Sequence, residues 1–536
     1  MSSVGIDARG TSHDHEVAAD LCVIGAGPAG ITIARELDGT DIRVCLLESG
    51  GEDVERRSQR ELRGQSDGYP IHRLDQSRMS AFGGTLRHPR LGDEGWAARP
   101  LDAIDFEHRP GIPYTGWPFD LQHLDPYYAR AQRLCDLGVY PYEPEAWTDV
   151  AARRCALPLD GGEVDTTVFQ FAQPPFQDAL EQFSGSANVQ VLLHSRVVGM
   201  TTYPNERRVD TVLARRRDGS SFVIRPRIVV LAAGGVENAR ILLSANGMRG
   251  LGNEHDLVGR FFAERLSVHA GHIVTPLPHL IERAAFYDLH HVGRTLIRGA
   301  LRVTDKIQRH RDLLNCAFFV LPRPEAVTTD AVRSLATLRK AVARKPLLDN
   351  SRQHIATVIG GVGDIADLAL SRGKGARRRL IIRAQAEQAP NRDSRVTLGS
   401  RRDSSGLPVP RITWRMNDSD AASINASLDI VDSALRSSGL GVVQSAMGDE
   451  HRRPLMEGNH HHLGTTRMHV DPRNGVVDAN CRVHTVANLY VSGSSVFPTY
   501  GSSNPTLTIV ALAVRLADHL ANQFASGADR PGHIRA

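Results

Sequence analysis

Short, fully apolar runs separated by glycine turns and helical spacing organise both ends of this chain. Residues 21–24 (LCVI) run into Gly25-Ala-Gly-Pro-Ala-Gly30, and Ile31, Ala34 and Leu37 then recur at helical spacing before Gly39. That pattern predicts a strand, a turn and a helix with a glycine stop. Residues 42–48 (IRVCLLE) predict a second strand ending in Glu48. Two later runs predict more strands of the same sheet: 189–193, continuing to 196–198, and 227–231, which turns at Ala232-Ala-Gly-Gly235 into a helix. Residues 488–491, a turn holding Gly493 and Ser494, and a helix from Pro505 close the series. Runs without polar alternation suit strands covered on both faces, as in a parallel sheet.

The stretches between these runs have another texture. Residues 99–185 are rich in proline and aromatic residues, with a helix predicted at 126–137. Residues 265–445 carry β-like runs at 272–275, 380–383, 395–398 and 410–414, then a helical run at 419–438. The expected fold class is α/β. A discontinuous Rossmann-like domain takes residues 18–98, 186–264 and 446–525. An inserted α+β domain, a mixed sheet with flanking helices, takes 99–185 and 265–445. Residues 1–17 are expected as a disordered lead and 526–536 as a flexible tail.

Composition narrows the function classes. A chain of 536 residues exceeds what one core serves, so at least two structural units are expected. It has no apolar stretch of membrane-spanning length, and residues 1–20 lack the basic start and apolar core of a secretory signal. No membrane span and a cytoplasmic location are therefore expected. Six scattered cysteines without a CxxC pair argue against a disulfide scaffold or thiolate metal site. His290-His291 and His13-Asp-His15 have no further ligands at suitable spacing, so no metal is expected. A net charge of +4 gives no reason to expect nucleic acid. The basic cluster Arg372, Lys374, Arg377, Arg378 and Arg379 suits a solvated loop.

The glycine turn is the first piece of chemistry. In GxGxxG, Gly25 permits the tight turn, Gly27 lets backbone approach a pyrophosphate, and Gly30 lets helix and strand pack closely. Phosphates then sit at a helix N-terminus, where free N–H groups and the dipole favour anions. Glu48 stands where an acid accepts hydrogen bonds from ribose hydroxyls, which suits FAD or NAD and disfavours a 2′-phosphate.

Motifs spread along the chain resemble the glucose–methanol–choline (GMC) oxidoreductases and favour FAD. Gly83-Gly84-Thr85 looks like that family's flavin-contacting loop, and 231–240 (LAAGGVENAR), with Ala233 and Gly234, like its second cofactor turn. The strand at 196–198, with Val197, resembles the segment that meets adenine. The most specific match is an ordered series: His461-His-Leu-Gly-Thr-Thr-Arg-Met468, 475–478 (GVVD), 488–491 (NLYV) and 504–508 (NPTLT). The runs 99–106 (RPLDAIDF), 116–119 (GWPF), 387–390 (EQAP) and 500–506 (YGSSNPT) are similar to sugar- and glycoside-acting members: pyranose oxidase, C-glycoside 3-oxidase and the large subunit of fructose dehydrogenase.

The resemblance implies FAD-dependent oxidation of an alcohol, on a sugar or glycoside, by hydride transfer to flavin N5. Oxygen or another acceptor then takes the electrons. His461 is the expected base, because neutral imidazole suits removal of the hydroxyl proton. Asn504 is expected to donate to the same oxygen. In His460-His461-His462 a one-residue slip would select His462 instead, and Asn504, ahead of Pro505, equally suits a helix cap. Pro505 would start a helix directed at the flavin's pyrimidine edge. His88 falls where pyranose oxidase attaches FAD covalently, but Pro89-Arg-Leu replaces that family's usual Trp-Gly-Gly, so a polar role stands beside covalent attachment. A lyase of the same fold and an NAD-dependent dehydrogenase are the alternatives.

Overall fold

The fold is taken from a computed structural model of the chain. The structure describes residues 6–7, 16–91, 94–149, 154–159, 162–203, 207–277, 280, 284–321, 335, 358, 379–448 and 456–527. His13 to His15 and Arg372 to Arg378 lie outside the described residues.

A six-stranded sheet gathers segments from across the sequence in the order Ile6–Asp7, Val189–Leu193, Val44–Leu47, Leu21–Ile24, Ile228–Leu231, Leu489–Val491. Every neighbouring pair is parallel. Leu21, Cys22, Val23, Ile228, Val229, Val230 and Leu231 are fully buried, as the unbroken apolar runs require. The helices Pro28–Glu36 and Thr506–Ser526 pack together, and the second also packs on the helix Leu121–Leu134.

A nine-stranded antiparallel sheet carries the strands Leu266–Val274 and Arg379–Ala386 near one edge and Trp96–Ala98 at the other. Its pairings are antiparallel throughout, where a mixed sheet was expected. Most neighbours in this sheet are far apart in sequence, so their apolar pattern carries no signal for strand direction.

Other differences from the sequence-based expectations have local causes. Two short strands, Ile6–Asp7 and Glu16–Val17, occupy the lead expected as disordered, and two paired residues are too few to leave a periodic signal. Residues 189–198 divide at His194, whose φ of 53° turns the chain. Ser195–Thr202 thereby leaves the parallel sheet and pairs antiparallel with Val209–Arg216 in another. The helix expected at 126–137 spans Leu121–Leu134, because the Asp120 carboxylate accepts the His123 N–H at 2.9 Å and caps it earlier. The strands Arg395–Arg402 and Pro408–Trp414 pair with each other in a separate three-stranded sheet, in which Pro408–Trp414 also pairs with Gln65–Gly68. Among the described residues, no helix is long and apolar enough to cross a membrane.

The glycine turn is packed against its neighbours through bare backbone. Gly25 has φ 109°, and a Cβ there would lie 2.7 Å from the Ala232 carbonyl oxygen. A Cβ on Gly30 would lie 2.0 Å from the Gly25 carbonyl oxygen, so helix and turn touch through backbone. Gly30→Ala is therefore expected to destabilise the protein by about 3 kcal/mol, the upper end for overpacking, because backbone must move. A thermal melt equal to that of the parent protein would contradict this.

Candidate active site

The carboxyl ends of the parallel strands open into a cavity of about 480 Å³, where open α/β sheets bind ligands. Gly25 and Gly27 line it at the start of the Pro28–Glu36 helix. Gly30 sits behind the turn, and Gly83 stands off the cavity with its N–H donated to the Ala26 carbonyl at 2.8 Å. Gly84, Thr85 and His88 line the cavity beside that anchor. The His88 Nε2–H donates to the Gln76 carbonyl at 2.8 Å, and its ring stacks 5.4 Å from that of His460.

Glu48 also lines the cavity, and its carboxylate locks two turns together. Oε2 accepts the Ala26 N–H at 3.1 Å and Oε1 accepts the Gly50 N–H at 2.8 Å. Burial pushes its pKa up, while these bonds act in the opposite direction. Val197, Ala233 and Gly234 line one stretch of wall, and Gly493, Ser494 and Pro505 another. Around Gly27, Gly234 and Gly493 a Cβ would meet nothing within 4 Å, so bare backbone faces open space at three lining positions.

His461 and Asn504 reach the same cavity. Among the described residues, His461 Nδ1 and Asn504 Oδ1 are buried without a hydrogen-bond partner. Pro505, not Asn504, is the N-cap of the Thr506–Ser526 helix, so the asparagine is not consumed as a cap. The segment before it is fixed by Thr499 Oγ1, which donates to the Asp105 carbonyl, and by Ser503 Oγ, 3.0 Å from the Pro100 carbonyl.

The neighbouring histidine is occupied differently. His462 Nε2 lies 3.2 Å from Glu264 Oε1 and 3.4 Å from Ser77 Oγ. Glu264 Oε2 accepts the His461 N–H at 2.8 Å, so one buried carboxyl group positions both residues. Burial raises the Glu264 pKa to about 8 and lowers that of His462 to about 3, so near neutrality the carboxyl carries the shared proton. Burial, and then the charge of Arg265, hold His461 well below its ordinary value, leaving it a neutral imidazole.

The sequence reading missed a polar wall facing these groups. Arg265, Ser267, Arg383, Gln385, Glu457 and Asn459 all line the cavity. The signal was present: polar 265, 267 and 269 alternate with apolar 266, 268 and 270, as do 383 and 385 with 382, 384 and 386. At the opposite end Arg78 and Arg240 bracket Glu237, with contacts of 2.7 and 3.2 Å.

A parallel sheet, a glycine turn with an acid on the next strand, and an unpartnered imidazole in the same cavity define a dinucleotide-dependent oxidoreductase. A family model described as FAD dependent oxidoreductase matches residues 20–361, and one described as GMC oxidoreductase matches 390–513. The 2-methyl-1,2-propanediol dehydrogenase of Mycolicibacterium austroafricanum is 24% identical over 595 aligned positions, covering 95% of this chain and 96% of the relative. The 6'''-hydroxyparomomycin C oxidase of Streptomyces lividus is 23% identical, covering 96% and 93%. The crystal structure of pyridoxine 4-oxidase from Mesorbium loti superposes with a TM-score of 0.53 at 16% identity, covering 94% of this chain and 99% of that one. The chain therefore belongs to the family of FAD dependent oxidoreductases, carries a GMC oxidoreductase match at residues 390–513, and is an FAD-dependent alcohol oxidoreductase. The open backbone at Gly27, Gly234 and Gly493 and the buried, unpartnered polar atoms of His461 and Asn504 fit that cofactor.

Glu264 gives the site a pH signature. Folded Glu264 keeps its proton up to about 8, whereas the same group in the unfolded chain loses it near its ordinary 4.5. The folded state then binds more protons in that window, so this group's contribution to stability falls as pH rises through it. Glu264→Gln keeps both hydrogen-bond roles without the ionisation. Its stability advantage over the parent should widen from about pH 5 to about pH 8 and level off above. Thermal melts whose pH profiles run parallel for the two proteins would refute this.

Proposed function

We propose that the protein oxidises a primary or secondary alcohol on a sugar or glycoside to a carbonyl, with His461 as base and Asn504 as its partner. The observation that carries this reading is the pair of buried, unpartnered atoms, His461 Nδ1 and Asn504 Oδ1, in the cavity formed by the glycine turn. When bound, FAD supplies the two-electron acceptor for the carbinol C–H bond. Gly25, Gly27 and the first turn of the Pro28–Glu36 helix would hold its pyrophosphate, and Glu48 its ribose.

His461 takes the hydroxyl proton, a role that needs the neutral ring its burial enforces. Asn504 donates its amide N–H to the same oxygen and stabilises the charge that develops there. His462 has no such freedom, because its Nε2 meets Glu264 and Ser77. Its task is to hold Glu264, which in turn fixes the His461 backbone. The electrons pass on to oxygen or another acceptor.

Anaerobic mixing with an alcohol should bleach the flavin. His461→Ala should slow that bleaching by about a hundredfold to ten-thousandfold, and Asn504→Ala by roughly a hundredfold, with FAD still bound. Bleaching at the parental rate in the histidine variant would remove His461 from the reaction. A flavin spectrum that stays oxidised with every alcohol would favour the lyase chemistry instead.

A further inference from the structure

The polar wall opposite the glycine turn has a charge imbalance that bears on which alcohol enters. The strands Leu266–Val274 and Arg379–Ala386 run antiparallel with Ser267 opposite Gln385 and Leu266 opposite Ala386. Side chains alternate between faces, so Leu266, Val268, Ala384 and Ala386 enter the core. Arg265, Ser267, Arg383 and Gln385 face the cavity, joined by Glu457 from the edge strand Glu457–Gly458.

Arg383 is partly balanced. Its Nε donates to Ser267 Oγ at 3.0 Å, and an Nη lies 4.0 Å from a Glu457 oxygen. Arg265 is not. Its Nη1 donates to Gln385 Oε1 and, at 3.1 Å, to the Ser502 carbonyl, and its Nε is buried without a partner among the described residues. No carboxylate of the described residues lies within ion-pair distance of it. The adjacent Glu264 turns to His461 and His462, and although its charge would raise the Arg265 pKa, burial keeps it largely protonated near neutrality. Burial lowers the Arg265 pKa only to about 9, which leaves the guanidinium charged. A buried cation of this kind is costly unless an anion joins it.

We propose that the substrate is an alcohol that also carries a carboxylate, a sugar acid or a related hydroxy acid, whose carboxylate is bound by Arg265 with Arg383 beside it. This rests on the alcohol-oxidation reading above. The planar guanidinium of Arg265 offers the donor geometry that a carboxylate accepts. Gln385 and Ser267 add neutral hydrogen-bonding groups for ring hydroxyls. The charge of Arg265 also lowers the proton affinity of His461, second to burial. A substrate carboxylate placed on Arg265 offsets that effect, so the base gains affinity for the hydroxyl proton when the acid is in place. The same wall disfavours an amino sugar, whose ammonium would face two guanidinium groups.

The test uses the FAD-loaded enzyme with three matched probes: D-glucose, D-glucuronate and D-glucosamine. Binding is followed by perturbation of the oxidised flavin spectrum, and turnover by anaerobic bleaching. Glucuronate should bind about tenfold or more tightly than glucose, in a salt-sensitive manner, with glucosamine weakest. In the binding measurement, Arg265→Gln should weaken glucuronate about tenfold to a hundredfold and weaken glucose by a smaller factor, so that the preference for the acid is lost. Arg265→Lys should keep part of the preference. If Arg265→Gln fails to retain FAD, the less buried Arg383→Gln should show the same selective loss in smaller measure. Glucose or glucosamine binding as well as glucuronate would overturn the proposal. An equal loss for glucose and glucuronate in the Arg265 variant would overturn it too, assigning the cation to the cofactor. Bleaching by no alcohol of any charge would defeat the oxidation reading, while the binding comparison would still decide the carboxylate.

Discussion

The site depends on three short parallel strands locked in one register. Ile24, Leu231 and Val491 lie side by side at the ends of their strands, so the turns that follow begin at the same height. The Ala232 N–H donates to the Ile24 carbonyl and the Ser492 N–H to the Leu231 carbonyl, each at 2.8 Å. Three backbone turns from widely separated parts of the sequence thereby line one edge: Gly25 to Gly27, Ala233 to Gly234, and Gly493 to Ser494. A slip of one residue in any strand would reverse the faces of its side chains and break that edge.

Around this edge the chain concentrates buried polar groups and ties several of them to its own backbone. Glu48 binds the turns before and after it. Glu264 binds the His461 N–H and faces His462. The exceptions are informative, because an unsatisfied buried polar atom carries a penalty of about 1–3 kcal/mol. His461 Nδ1, Asn504 Oδ1 and Arg265 Nε are such exceptions, and all three belong to residues that line the cavity. Their distribution separates the two histidines that the sequence motif left as alternatives: His462 is held, and His461 is available.

Two sheets divide the labour for a physical reason. The parallel sheet presents backbone N–H groups and helix N-termini, which suit a phosphate-bearing cofactor common to a large family. The antiparallel sheet presents one row of side chains at two-residue spacing, which suits selection among alcohols. That row can change while the strands keep their place, since Leu266, Val268, Ala384 and Ala386 hold the other face in the core.

The amino-acid sequence by itself determined the local pieces. Unbroken apolar runs marked the buried parallel strands, the glycine spacing marked the turn, and the series from His461 to Thr508 marked a segment that the fold brings to the same cavity. Each of these is a short-range signal, set by backbone sterics or by the number of residues between functional groups. Only the tertiary structure decided the rest. Pairing of Pro408–Trp414 with Gln65–Gly68, the antiparallel direction of the second sheet, and Glu264 reaching His461 and His462 are contacts across long separations, and no local pattern encodes them. The same holds for the charge on the polar wall: the alternation that places Arg265 and Arg383 with Ser267 and Gln385 is in the sequence, but their burial, and the lack of a carboxylate paired with Arg265 among the described residues, exist only once the chain has folded.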